Sequence, residues 1–83
     1  MKELRKKYKV SCTNKEEKNF NAFDECVRYI KNKVSDLTES LYHEDIIDKY
    51  AVEDILWRIE ENIKEHKGYF HPDIPEEWEI IKI

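Results

Sequence analysis

Three histidines (His43, His66, His71) and two cysteines (Cys12, Cys26) are the strongest metal ligands and nucleophiles in this 83-residue chain. Their spacing supports neither role. A metal site needs convergent Cys, His or carboxylate ligands, and the chain has no C-x-x-C and no H-E-x-x-H. His66 closes an apolar helical stripe, where capping or core packing is the expected role. Nucleophilic catalysis needs a Ser or Cys beside a base and an oxyanion stabiliser, often on a strained glycine turn. Gly68, the only glycine, neighbours neither cysteine. Carboxylate pairs are unavoidable with 19 acids in the chain, and they read as solvated surface. The chain is also small for a pocket that buries a substrate. The expectation is a non-enzymatic protein without metal or cofactor.

Charge patterning is more informative. From Met1 to Ser35 ten Lys/Arg face five Asp/Glu, a balance of +5. From Asp36 to Glu65 ten acids face only Lys49, Arg58 and Lys64, a balance of −7, and the remaining tail carries −2. Such asymmetry bears on partners and steering rather than on fold. Within the acidic half, Tyr50 and Trp57 lie about 140–160° from the buried stripe at 100° per helical residue, among Glu53, Asp54, Glu60, Glu61 and Glu65. An aromatic anchor ringed by acids suits a basic partner. Carboxylates three and four residues apart lie about 5–6 Å apart on a helix, of the order of successive phosphates, so a DNA-mimicking surface is one version of this site. The competing reading packs Tyr50 and Trp57 beneath the connection Pro72–Pro75.

The basic half offers the alternative. Lys2, Arg5, Lys6, Lys7 and Lys9 flank Tyr8, and Arg28, Lys31 and Lys33 sit on the polar side of the first helix, a set that could contact phosphates. Against this stands pairing of Arg5, Lys7 and Lys9 with Glu77 and Glu79 across the outer face of a sheet. A pI of 5.4 also disfavours nucleic acid.

These groups must be positioned by few elements. Leu4–Thr13 alternates apolar and polar residues and predicts a strand over 4–13, with Cys12 inward. The polar run Asn14–Asn19 predicts a loop. Asn21 is the expected N-cap, with Asp24 as its capping acid. Phe23, Cys26, Val27, Ile30, Val34, Leu37 and Leu41 form one stripe and predict a helix over 21–42. Val52, Ile55, Leu56, Ile59, Ile63 and His66 form a second stripe. Extending it backward would bury Asp45 and Asp48 at a cost of several kcal/mol, so the chain should break at 43–48. The second helix is expected from Asp48 to Lys67, with Gly68 as its left-handed cap. Glu77–Ile83 predicts a second strand.

The predicted fold is α+β, a single domain over 1–83. Its order is β-α-α-β, with a two-stranded antiparallel sheet packed on a helical hairpin. Two strands leave exposed edges, so a homodimer is expected, with Ile81 and Ile83 at its interface. The N-terminus lacks an apolar leader run and no stretch approaches a membrane span, so Cys12 and Cys26 read as reduced, buried thiols of a cytoplasmic protein.

Small size, acidity and the lack of catalytic motifs resemble, across the whole chain, the inhibitors that phages make against host proteins, DNA mimics among them. That resemblance implies an inhibitor of a basic, nucleic-acid-binding host protein. No motif carries it, so no site residue is transferred. The alternatives are a nucleic-acid-binding regulator using the first strand and a structural assembly subunit.

Overall fold

The computed structural model describes residues 7–83. Strand β1 (Tyr8–Cys12) is followed by β2 (Glu17–Phe20), then α1 (Phe23–His43), α2 (Lys49–Leu56), α3 (Ile59–His66), β3 (Gly68–Tyr69) and β4 (Trp78–Lys82). The strands form one antiparallel sheet in the order β2-β1-β4-β3. The α+β class and the central β1–β4 pair are as expected. The two-stranded sheet is not, because β2 and β3 flank that pair within the chain. With four strands in place, the argument that the sheet needs a dimer to complete it falls away. The predicted start of the first strand, 4–6, and the basic residues Lys2, Arg5 and Lys6 lie outside the described residues.

Both flanking strands escaped the sequence pattern for local reasons. A three-residue loop, Thr13-Asn14-Lys15, closes the β1–β2 hairpin, with Lys15 left-handed at φ 75°. Such loops normally place glycine there. The Asn14 side chain substitutes local hydrogen bonding, accepting from Glu16 N–H at 2.8 Å and donating to Glu16 and Glu76 carboxylates. β2 itself is polar, yet Lys18 and Phe20 lie opposite Val10 and Tyr8 on the inward side. β3 contains only two residues, too few to show alternation. Gly68 is there for space: a Cβ on it would lie 2.3 Å from the Trp78 carbonyl oxygen. The left-handed cap residue of α3 is Lys67 instead, at φ 56°.

α1 follows its stripe, burying Cys26, Val27, Ile30, Val34 and Leu41. The stripe also buries Thr38, whose hydroxyl donates to the Val34 carbonyl at 2.7 Å. The N-cap is Ala22 rather than Asn21, and the capping acid is Glu25 rather than Asp24. Glu25 Oε1 accepts the N–H groups of both Asn21 and Ala22 at 3.1 Å. The helix ends at His43, Asp45 turns left-handed, and Asp48 caps α2 by accepting from Ala51 N–H at 2.9 Å. Asp45 and Asp48 stay exposed, as the desolvation argument requires. Ile47 packs against the core.

The second predicted helix is two helices. Trp57 is extended and Arg58 left-handed at φ 61°, which separates α2 from α3. Ile55, Ile59 and Ile63 remain buried, while Leu56 and His66 leave the stripe for solvent. Helices α1 and α3 cover the inward face, where Val10, Cys12, Trp78 and Ile80 meet them. Ile74 of the proline-bearing connection is also buried there. Cys12 and Cys26 are free and buried; burial, then the charge of Glu25, pushes the Cys26 thiol above its usual range. Among the described residues no helix is long and apolar enough to cross a membrane.

Candidate functional site

Tyr50, Glu53 and Asp54 stand at positions i, i+3 and i+4 of α2, on one face, and Trp57, the extended C-cap residue of α2, follows beside them. With Leu56 they line a shallow depression. Tyr50 is 80% exposed and Trp57 72%, so neither packs beneath the Pro72–Pro75 connection. Ile74 fills the space beneath that connection instead. Trp57 falls on the solvent side of a continuous helix as well, and as the extended C-cap of α2 it stays there.

The acids divide into two groups. Glu53 and Asp54 belong to the depression. His71 Nε2 sits 2.8 Å from Asp54 Oδ2, while His71 Nδ1 accepts the Asp73 N–H at 3.1 Å. These contacts assign the proton to Nε2 and pin the connection between β3 and β4 to the flank of α2. His71 therefore does the positioning that the sequence pattern gave to none of the histidines. Glu60, Glu61 and Glu65 lie on α3, beyond the break, and do not line the depression. Glu60 faces Lys31 at 3.9 Å and Lys64 at 3.5 Å, and Glu61 accepts from Arg58 Nε at 3.0 Å. The Arg58 guanidinium is also 5.9 Å from the Trp57 ring. The acidic ring read from the sequence is thus interrupted on the α3 side by three cations.

No known family model, curated protein or solved structure matches this chain. The site has to be read from its own geometry. A depression with two aromatic walls and two carboxylates is an acceptor for cations: aromatic faces attract ammonium and guanidinium groups, and the carboxylates supply hydrogen-bond acceptors.

The first strand is rearranged relative to expectation. Lys9 lies opposite Ile81 and Asn19, and its ammonium reaches Glu17 at 3.7 Å. Glu79 faces Ser11, and Glu77 exchanges hydrogen bonds with Thr13. The Lys–Glu77/Glu79 pairing predicted across the sheet therefore does not form for Lys9. Ile81 is 37% and Ile83 65% exposed, on the solvent side of β4. A further basic cluster lies elsewhere: Lys18 and Lys33 each place an ammonium 5.5 Å from the Tyr29 ring centroid, and Phe20 packs 5.2 Å from the same ring. Lys33 carried a sequence signal as a phosphate contact; Lys18, on a segment read as loop, carried none.

A groove of about 710 Å³ runs past the end of α3 and is lined by Asn62, His66, Lys67, Phe70, Glu77 and Glu79 among others. Among the described residues no group of three His, Cys, Asp or Glu is placed to hold a metal ion.

Proposed function

We propose that this chain is a non-enzymatic binding module that docks a basic segment of another protein on the α2 face formed by Tyr50, Glu53, Asp54 and Trp57. The observation that carries this reading is the exposure of two large aromatics in one depression with two carboxylates. Large exposed aromatics with a charged rim are what binding hot spots are made of. Trp57 and Tyr50 supply the anchor area, and Glu53 and Asp54 steer and orient the incoming cation.

A narrower version makes the protein an inhibitor that occupies the nucleic-acid-binding face of its target in the cytoplasm, where Cys12 and Cys26 stay reduced. The run of exposed acids Asp36, Glu39, Glu44, Asp45, Asp48, Glu53 and Asp54 supports it, and the neutralisation of Glu60 and Glu61 confines the mimicking surface to α1, the turn and α2. Self-association through Ile81 and Ile83 remains a proposal resting on their exposure alone.

Capture from extracts of the source organism tests the reading. Wild-type protein should retain a net-basic protein that the Glu53→Lys/Asp54→Lys/Trp57→Ala variant loses. Equal retention by both would remove α2 as the site, and capture of an acidic protein or of nucleic acid would remove the charge argument.

A further inference from the structure

The outer edge of β2 carries a second surface, of opposite sign to α2. In the β1–β2 ladder Tyr8, Val10 and Cys12 lie across from Phe20, Lys18 and Glu16, and Cys12 N–H bonds to the Glu16 carbonyl. Backbone groups alternate in direction along a strand, so the N–H and C=O of Glu17 and Asn19 point away from β1. Among the described residues nothing pairs with them. Beside this open edge, on the inward side, stand Lys18 and Lys33, both drawn to the Tyr29 ring. Neither ammonium has a carboxylate within ion-pair distance among the described residues. Two like charges gathered on one ring repel each other, and an anion placed between them would relieve that repulsion.

We propose that the β2 edge receives an extended acidic peptide segment as an added strand. Main-chain hydrogen bonds to Glu17 and Asn19 would hold the backbone. Alternate side chains of the added strand would fall on the inward side, where carboxylates meet Lys18 and Lys33 and a methylene stem covers Phe20. The intervening side chains lie beside Glu17 and Asn19 and are uncharged. The same lysines disfavour a second copy of this chain, since β2–β2 pairing would gather two Lys18–Lys33 pairs on one seam. Two cations are also too few for nucleic acid, whose affinity rests on many phosphate contacts. This site is independent of α2.

The test is an NMR titration of the full chain with a capped peptide alternating Glu and Thr. A Lys–Thr peptide and oligothymidylate serve as comparisons. The Glu–Thr peptide should shift the Glu17 and Asn19 amides and slow their exchange, while the Lys–Thr peptide leaves them unmoved. Asn19→Pro removes the outward N–H at an edge position where proline is tolerated, and it should abolish binding. Lys18→Glu with Lys33→Glu should weaken binding by about tenfold or more. The proposal is overturned by Glu17 and Asn19 amides that do not respond to the acidic peptide. Tighter binding of oligothymidylate, or unchanged affinity in the double Glu variant, overturns it as well.

Discussion

The hydroxyl of Tyr69 donates a 3.0 Å hydrogen bond to the carbonyl of Ile55, joining β3 to the last turn of α2. That carbonyl would serve residue 59 in a continuous helix. The break at Trp57 and Arg58 leaves it without a helical partner, and a buried carbonyl left unpaired is costly. Tyr69 removes that cost. One buried phenol thus makes the helix break tolerable.

The same phenol makes stability pH-dependent. Burial, and secondarily the charge of Asp54, pushes the Tyr69 hydroxyl up to about 12 from an ordinary value of 10.0. A group whose folded pKa is raised contributes stability that is complete below the unfolded value and lost as pH climbs through the folded one. Tyr69→Phe should cost about 1–2 kcal/mol at pH 8, since Ile55 loses its partner. The gap between wild type and variant should narrow as pH rises from 10 toward 12. Urea midpoints at pH 8 and pH 11 check this; a gap that stays constant would show that Tyr69 ionises as freely folded as unfolded.

Tyr50→Ala and Trp57→Ala should separate binding from folding. Both side chains are exposed, so unfolding free energy should move by less than about 0.5 kcal/mol. Loss of the anchor should weaken partner binding by about 2 kcal/mol for Trp57. Calorimetry on the captured partner, beside thermal melts, distinguishes the two effects. A large drop in melting temperature for Trp57→Ala would recast Trp57 as a structural residue.

Gly68→Ala should be among the most damaging single-atom-scale changes in the chain. Its Cβ would fall 2.3 Å from the Trp78 carbonyl oxygen, with the Glu79 Cα at 3.2 Å, and neither is a flexible side-chain end. Moving β3 off β4 would also disturb the Tyr69 bond to Ile55. A loss of about 3 kcal/mol is expected, the upper range for overpacking, and denaturant unfolding measures it.

Thr38→Val should be benign. The Thr38 hydroxyl is buried and donates to Val34, whose carbonyl can also accept a helical N–H, so valine of the same shape leaves no acceptor stranded. Replacement of a buried polar group by an apolar isostere is often neutral or stabilising. A change of under about 1 kcal/mol, of either sign, is the expected result of an equilibrium melt. A loss beyond about 2 kcal/mol would mean that the hydroxyl satisfies more than Val34.

The sequence carried the helical stripes well because each is long and strictly periodic, so Cys26 to Leu41 and Ile55 to Ile63 were readable as core. The cost of burying Asp45 and Asp48 located the turn before α2. What could not be read was set by contacts distant in sequence. β2 hides in a polar run because its hairpin uses Lys15 where glycine would signal a turn. The α2–α3 break contains neither glycine nor proline, and its stabilising contact comes from Tyr69. At the candidate site Tyr50, Glu53, Asp54 and Trp57 were legible as one helical face. The separation of Glu60 and Glu61 from them was not, because it depends on that break and on Lys31 from another helix.

Among the described residues four, Lys15, Asp45, Arg58 and Lys67, hold left-handed backbone with φ between 56° and 75°, while the chain's only glycine is used for clearance instead. Each such residue carries roughly 1 kcal/mol of conformational strain. The slack in this protein is therefore in its corners rather than in its core. Thermostabilisation would proceed by placing glycine at Lys15 and Lys67, where the gain in backbone comfort exceeds the extra freedom of the unfolded chain by some tenths of a kcal/mol. Arg58 is the corner at which that exchange costs contacts, because glycine there would also remove the guanidinium that faces the indole of Trp57 and pairs with Glu61.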